Sequence, residues 1–76
     1  MNLEIDFRGM SERAKQARRQ SGLTQEKLAE ITDMDCHHIS RIETGTVNFG
    51  LKAVVRISVA LGISTDYLLF GTKNES

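Results

Sequence analysis

The sequence predicts an all-α domain, a compact five-helix bundle that contains a helix-turn-helix. Three observations support this. Apolar residues recur at i, i+3, i+4 and i+7 through residues 51–61, the period of a helix with one buried face. Between Leu23 and Gly45 two short helical patterns flank a tight turn. No proline, low-complexity tract or solenoid-length repeat interrupts the 76 residues. That length suits one domain with a modest core, near the lower limit for folding without staples.

The first helix is expected from Gly9 or Ser11 to Gln20, with Ser21-Gly22 as its stop. Thr24 reads as the N-cap of a second helix over Gln25 to Thr32. Asp35 caps a third from Cys36 to Thr44, which Gly45 ends. Asn48 or Gly50 caps a fourth that reaches Leu61, and a short fifth lies between Ser64 and Gly71. Leu51, Val54, Val55, Ile57, Ser58 and Leu61 form the expected buried face of the fourth helix. Ala14, Ala17, Leu28 and Ala29 line the earlier ones, where alanines permit close approach. Leu23, Met34, Ile63 and Leu68 complete the core. Residues 1–9 read as an arm, 10–71 as the domain and 72–76 as a disordered tail. The alternating Leu3, Ile5 and Phe7 could add a strand or pack as a lid over the first helix, and the lid is favoured.

One cysteine excludes a disulfide framework within a copy and suits a reducing compartment. No apolar run nears the roughly 18 residues that span a bilayer, and the first residues lack a signal peptide's apolar core. A cytoplasmic, soluble protein without membrane contact is the expectation. Net charge is zero, from ten basic and ten acidic residues, which argues against a nucleic-acid partner. The distribution argues the other way. Arg8, Arg13, Lys15, Arg18 and Arg19 crowd together against Glu12 alone, while acids gather at Glu26, Glu30, Asp33, Asp35 and Glu43. Such a stretch attracts phosphate locally or is simply a solvated helix face.

On a wheel at 100° per residue, Ile39 and Ile42 anchor the third helix inward. Cys36, His37, Ser40, Arg41 and Thr44 fall opposite, a basic or uncharged set able to pair with base edges. Glu43 lies beside the isoleucines and needs a cation, for which Arg18 is the candidate. Cys36-His37-His38 cannot converge on one metal ion, because helix neighbours point about 100° apart. A catalytic Cys-His pair fails on the same geometry. No enzyme activity, metal, cofactor or small-molecule ligand is expected. A thiol at a helix N-terminus invites a redox reading, but one cysteine has no resolving partner.

A helix-turn-helix of this size has few uses other than reading DNA. Arg18, Gly22-Leu23-Thr24-Gln25, Leu28-Ala29, Met34, Ile39-Ser40, Glu43 and Gly45 carry a specific resemblance to the Cro and phage-repressor (XRE-like) helix-turn-helix family. It continues through Leu51, Val54 and Ile57 to Leu61–Gly71, covering roughly residues 10 to 71. The resemblance implies a lambda-repressor-like five-helix domain that binds operator DNA, usually as a two-fold homodimer. It places the base-contacting positions at Cys36, His37, Ser40 and Arg41. It makes Gln25 a phosphate contact and a brace for the third helix, and Arg18–Glu43 an ion pair. It also assigns phosphate-binding amides near Thr46 to Gly50, where a helix N-terminus favours anions.

The chain departs from this pattern at three places. Asp33 stands where glycine is usual in the turn, and Thr32 where an aliphatic is common. Cys36 replaces a polar side chain with which Gln25 would exchange hydrogen bonds.

Arg41 suits a bidentate contact to guanine, or else a phosphate or surface ion pair. His37 could donate to guanine or phosphate, or face solvent. Ser40 would contact a base weakly or the backbone, and Cys36 could lie against a thymine methyl. Arg13, Arg18, Arg19, Gln25, Lys27, Thr44, Thr46, Asn48 and Lys52 are the expected phosphate contacts, with Arg8 as a further cation. Leu61, Ile63, Tyr67, Leu69 and Phe70 form the expected dimer interface, although for Tyr67 and Phe70 core closure is an equal reading. The expected function is a sequence-specific transcriptional regulator, a repressor in a bacterium or phage, acting on double-stranded DNA. The alternative is a protein-interaction module of antitoxin type on the same scaffold.

Overall fold

Where helices start and stop in this chain follows from a few short polar side chains and left-handed residues. The computed structural model describes residues 7–47 and 50–71. Five helices are present in that part: α1 Phe7–Gln20, α2 Gln25–Thr32, α3 Cys36–Thr44, α4 Leu51–Leu61 and α5 Thr65–Phe70. No strand occurs among the described residues. The Thr24 hydroxyl accepts from the Lys27 amide, the Asp35 carboxylate from His37 and the Ser64 hydroxyl from Tyr67. Each satisfies one of the amides a helix start leaves unpaired. Gly50 begins α4 with extended backbone and no side-chain cap.

The helix boundaries expected from sequence agree with the structure except at α1. That helix begins at Phe7, ahead of the expected start at Gly9 or Ser11. Phe7 is therefore helical rather than extended, and half of its surface is open. The remainder of the arm and the 72–76 tail lie outside the described residues.

The core gathers Met10 and Ala14 of α1, Leu28 and Ala29 of α2, Ile39 and Ile42 of α3, Ala53, Val54 and Ile57 of α4, and Leu68 of α5. Leu23, Met34, Leu61 and Ile63 pack around it, half-buried. Two residues expected on the buried face of α4 are elsewhere: Leu51 is 81% exposed and Val55 46%. The reason is rotation. α4 packs between α2 and α5 on the side that carries Ala53, Val54, Ile57 and Ser58, so its buried arc is displaced from the one the longest side chains suggest.

Two arginines fasten helices to one another. Arg13 reaches from α1 to the Leu68 carbonyl, with Nε at 3.1 Å and Nη2 at 2.9 Å, and its guanidinium lies 6.0 Å from the centre of the Tyr67 ring. Arg56 of α4 donates to the Thr32 and Asp33 carbonyls at 3.4 and 3.3 Å. These are the open carbonyls at the end of α2, the negative pole of that helix, which has no cation in its own last turn. No pattern in the sequence marks Arg56 for this contact. Thr32, in place of an aliphatic, is buried without penalty because its hydroxyl donates to the Leu28 carbonyl at 2.7 Å.

The α2–α3 turn requires left-handed backbone at Asp33, where φ is 56° and ψ 43°. Its amide closes α2 onto Ala29 and Glu30. Asp33 is the one non-glycine residue with positive φ among those described, and a side chain there pays a steric cost that glycine avoids. Asp33→Gly should stabilise the fold by up to about 1 kcal/mol, after the greater unfolded-state entropy of glycine is subtracted. Thermal unfolding checks this, and an unchanged or lowered midpoint would contradict it.

Candidate nucleic-acid interface

α3 is held to the body of the protein along one side only. Ile39 and Ile42 are 1% and 0% exposed. Next to them Glu43 brings a carboxylate into the core, 3% exposed, which would be costly without partners. It has three donors. Arg18 Nε bonds Glu43 Oε2 at 2.7 Å and Arg18 Nη2 bonds Oε1 at 2.9 Å, a planar fork on a carboxylate. Gln25 Nε2 donates to the same Oε1 at 3.0 Å. Arg18 spends its remaining terminal nitrogen on the Leu23 carbonyl at 2.8 Å.

One carboxylate thus joins α1, the start of α2 and the end of α3. The hydrogen bond to Glu43 raises the Arg18 pKa above its ordinary value; burial works against this, and the charge of Glu43 adds to it. A cation with a raised folded-state pKa keeps its full contribution at every pH below the unfolded value, so Arg18 remains charged at any working pH.

The opposite side of α3 is open. His37, Arg41 and Thr44 are exposed, and Ser40 is half-buried among them. The Thr44 hydroxyl lies 2.9 Å from that of Thr46 and 3.2 Å from the Arg41 carbonyl. Arg19, Lys27 and Lys52 are exposed, and Gln25 is half-buried at the start of α2. No carboxylate of α3 itself lies on the open side, since Glu43 faces in.

Several expected sites fall differently. Cys36 is half-buried and packs against the core rather than standing with the open face. It sits only about 60° from Ile39 on the wheel, so the fold draws a small apolar group inward. Gln25 does not brace α3 at Cys36; its amide donates to Glu43 Oε1, the same carboxylate that takes the Arg18 fork. Arg13 and Arg18 were expected to contact phosphate, but both guanidinium groups are committed internally. Asn48 lies outside the described residues. Of the expected dimer residues, Leu61, Ile63 and Leu69 pack against the core, and Tyr67 and Phe70 are half-buried. No helix of the described part is long and apolar enough to cross a membrane.

The Glu43 network should behave as one unit. Arg18→Ala leaves a buried carboxylate without its fork and should cost about 3–5 kcal/mol in denaturant unfolding. Replacing both partners by methionine should recover much of that loss, since apolar isosteres remove the desolvation cost. A double variant no more stable than Arg18→Ala would show that the pair does not act together.

Comparison with known proteins agrees with this geometry. A helix-turn-helix family model matches residues 15–68. The SPbeta prophage-derived uncharacterized HTH-type transcriptional regulator YonR of Bacillus subtilis is 34% identical over 61 residues, 80% of this chain and 56% of that protein. Control protein C.BamHI of Bacillus amyloliquefaciens is 45% identical over 49 residues, 64% of this chain and 60% of its own length. The chain therefore spans somewhat more than half the length of these relatives. The P22 c2 repressor, solved in complex with a synthetic operator, superposes with a TM-score of 0.79 at 28% identity, covering 83% of this chain and 96% of the repressor chain. With the inner side of α3 fixed to Arg18 and Gln25 and its outer side open, the chain belongs to the helix-turn-helix family of Cro- and phage-repressor-like (XRE-like) transcriptional regulators.

Proposed function

We propose that this chain binds an operator of two-fold symmetry as a homodimer, lays α3 in the major groove, and represses transcription by occupying that site. The observation that carries the reading is the two-sidedness of α3. Its inner side is immobilised by Ile39, Ile42 and Glu43, while His37, Ser40, Arg41 and Thr44 stand at the open side without an acid among them. A helix held this rigidly presents side chains to base edges with little ordering cost. The P22 c2 repressor, which shares the fold, was solved with a synthetic operator, and this supports the assignment.

In this reading Arg41 pairs with a guanine edge, His37 and Ser40 contact bases or backbone, and Cys36 supports the start of α3 from its half-buried position. Phosphates are met by Arg19, Lys27 and Lys52, with Gln25, Thr44, Thr46 and Asn48 adding neutral donors. One α3 covers only a few base pairs, so specificity calls for two, about 34 Å apart on one face of the duplex. A second reading, a protein-interaction module, is favoured by the zero net charge.

Selection of bound sequences from a random DNA pool discriminates the two. An inverted repeat is expected from the operator reading, and an unenriched pool contradicts it. In a gel-shift assay on the selected site, Arg41→Ala should weaken binding by about 1–3 kcal/mol and relax the preference at one base pair.

Phosphate contact by Arg19, Lys27 and Lys52 should give a log-log salt slope of about −2.7 per protomer, at −0.9 for each phosphate neutralised. Affinity that stays flat from low to moderate salt would exclude phosphate contact by Arg19, Lys27 and Lys52.

A further inference from the structure

The leading end of α3 carries an acid whose second oxygen is unspent. Asp35 precedes the first helical residue, and its Oδ1 accepts from the His37 amide at 2.7 Å. That bond fixes the carboxylate beside the backbone of a residue whose side chain stands on the open side. Asp35 is exposed, and no cation pairs with it among the described residues. Glu43, near the other end of the same helix, is the reverse case, buried and supplied with three donors.

Capping alone does not call for this charge, because asparagine and serine cap a helix start about as well as aspartate. The positive pole of α3 favours an anion. A duplex laid against that pole, however, brings phosphates that repel one. A helix in the major groove leads with its N-terminal residues, so the carboxylate lies at the end that meets base edges. There it weakens binding to DNA at large unless a base offers it a hydrogen.

We infer that Asp35 is a specificity-determining residue, accepting a hydrogen bond from the N4 amine of a cytosine in the major groove. The inference rests on the operator reading, since only a duplex held by α3 brings a base edge to this carboxylate. Arg41 has donors alone to offer and Ser40 a hydroxyl of either sense, whereas an ionised carboxylate only accepts. Cytosine and adenine are the bases that show an amine in that groove. Adenine sets its N7 acceptor next to the amine, where it faces the carboxylate unfavourably. Cytosine has no such neighbour on its own ring. Guanine presents acceptors alone, and thymine an acceptor and a methyl group. Discrimination thus comes from attraction to one base and repulsion from the rest.

Selection from a random DNA pool, run in parallel on the full chain with the wild type, Asp35→Asn and Asp35→Ser, tests this. Both substitutions keep a side-chain acceptor for the His37 amide, and thermal unfolding checks that the fold survives. The wild type should enrich a cytosine at one position of each half-site, by about tenfold over other bases. Both variants should lose that preference and keep the rest of the site. They should also hold a random-sequence duplex about threefold more tightly. A purely capping role moves neither readout. Should one variant fail to unfold cooperatively, the other decides.

Folded variants that select the same bases as the wild type overturn the inference and leave the operator reading standing. Loss of every preferred position at once also overturns it, because Asp35 then supports α3 as a whole. A cytosine that depends on Asp35 in a site without two-fold symmetry sinks the operator reading alone. An unenriched pool sinks both.

Discussion

The position of α3 depends on one buried carboxylate. Glu43 is costly to bury alone, and the chain meets that cost with a guanidinium fork from α1 and an amide from the first residue of α2. Three helices that share few large side chains are thereby set at one mutual angle. Ile39 and Ile42 supply the hydrophobic attachment, but aliphatic contacts alone would leave α3 free to slide along its axis. The charged fork removes that freedom, since two parallel hydrogen bonds fix direction as well as distance.

Around this centre the small core is closed by alanines and by cross-links of a polar kind. Ala14, Ala17, Ala29 and Ala53 let backbones come close, and arginines span the gaps that remain. Arg13 ties α1 to α5 and Arg56 ties α4 to α2. A domain near the lower size limit has little apolar volume to spend, so hydrogen bonds from long cations to helix-end carbonyls stand in for a larger interior.

Much of this was legible in the sequence, and the reasons are local. Thr24, Asp35 and Ser64 mark helix starts because a short polar side chain before an apolar period satisfies an orphan amide. Gly45 and Gly71 mark ends because few other residues adopt the left-handed turn easily. The pairing of Arg18 with Glu43 follows from an acid on a core-facing position, which demands a cation. Other features could not be read this way. The rotation of α4 depends on which neighbours it meets, and periodicity alone could not tell Val55 from Ala53. Nor could composition separate an arginine spent inside the fold from one free for phosphate: Arg13 and Arg19 sit in the same basic stretch but differ entirely in what they touch. The inward packing of Cys36 and the redirection of Gln25 to Glu43 likewise depend on distances that exist only after folding.

Three of the cations in this neutral chain act as molecular brackets rather than as charges. Arg18 spreads its flat, forked head over both Glu43 oxygens and the Leu23 carbonyl, Arg13 turns two nitrogens onto the Leu68 carbonyl, and Arg56 reaches the Thr32 and Asp33 carbonyls together. An ammonium group has the same sign but is a single point with no plane. Lysine at these positions would preserve every count of charge and isoelectric balance while undoing the joinery, so two chains of identical electrostatic composition would differ in whether their helices stay in register.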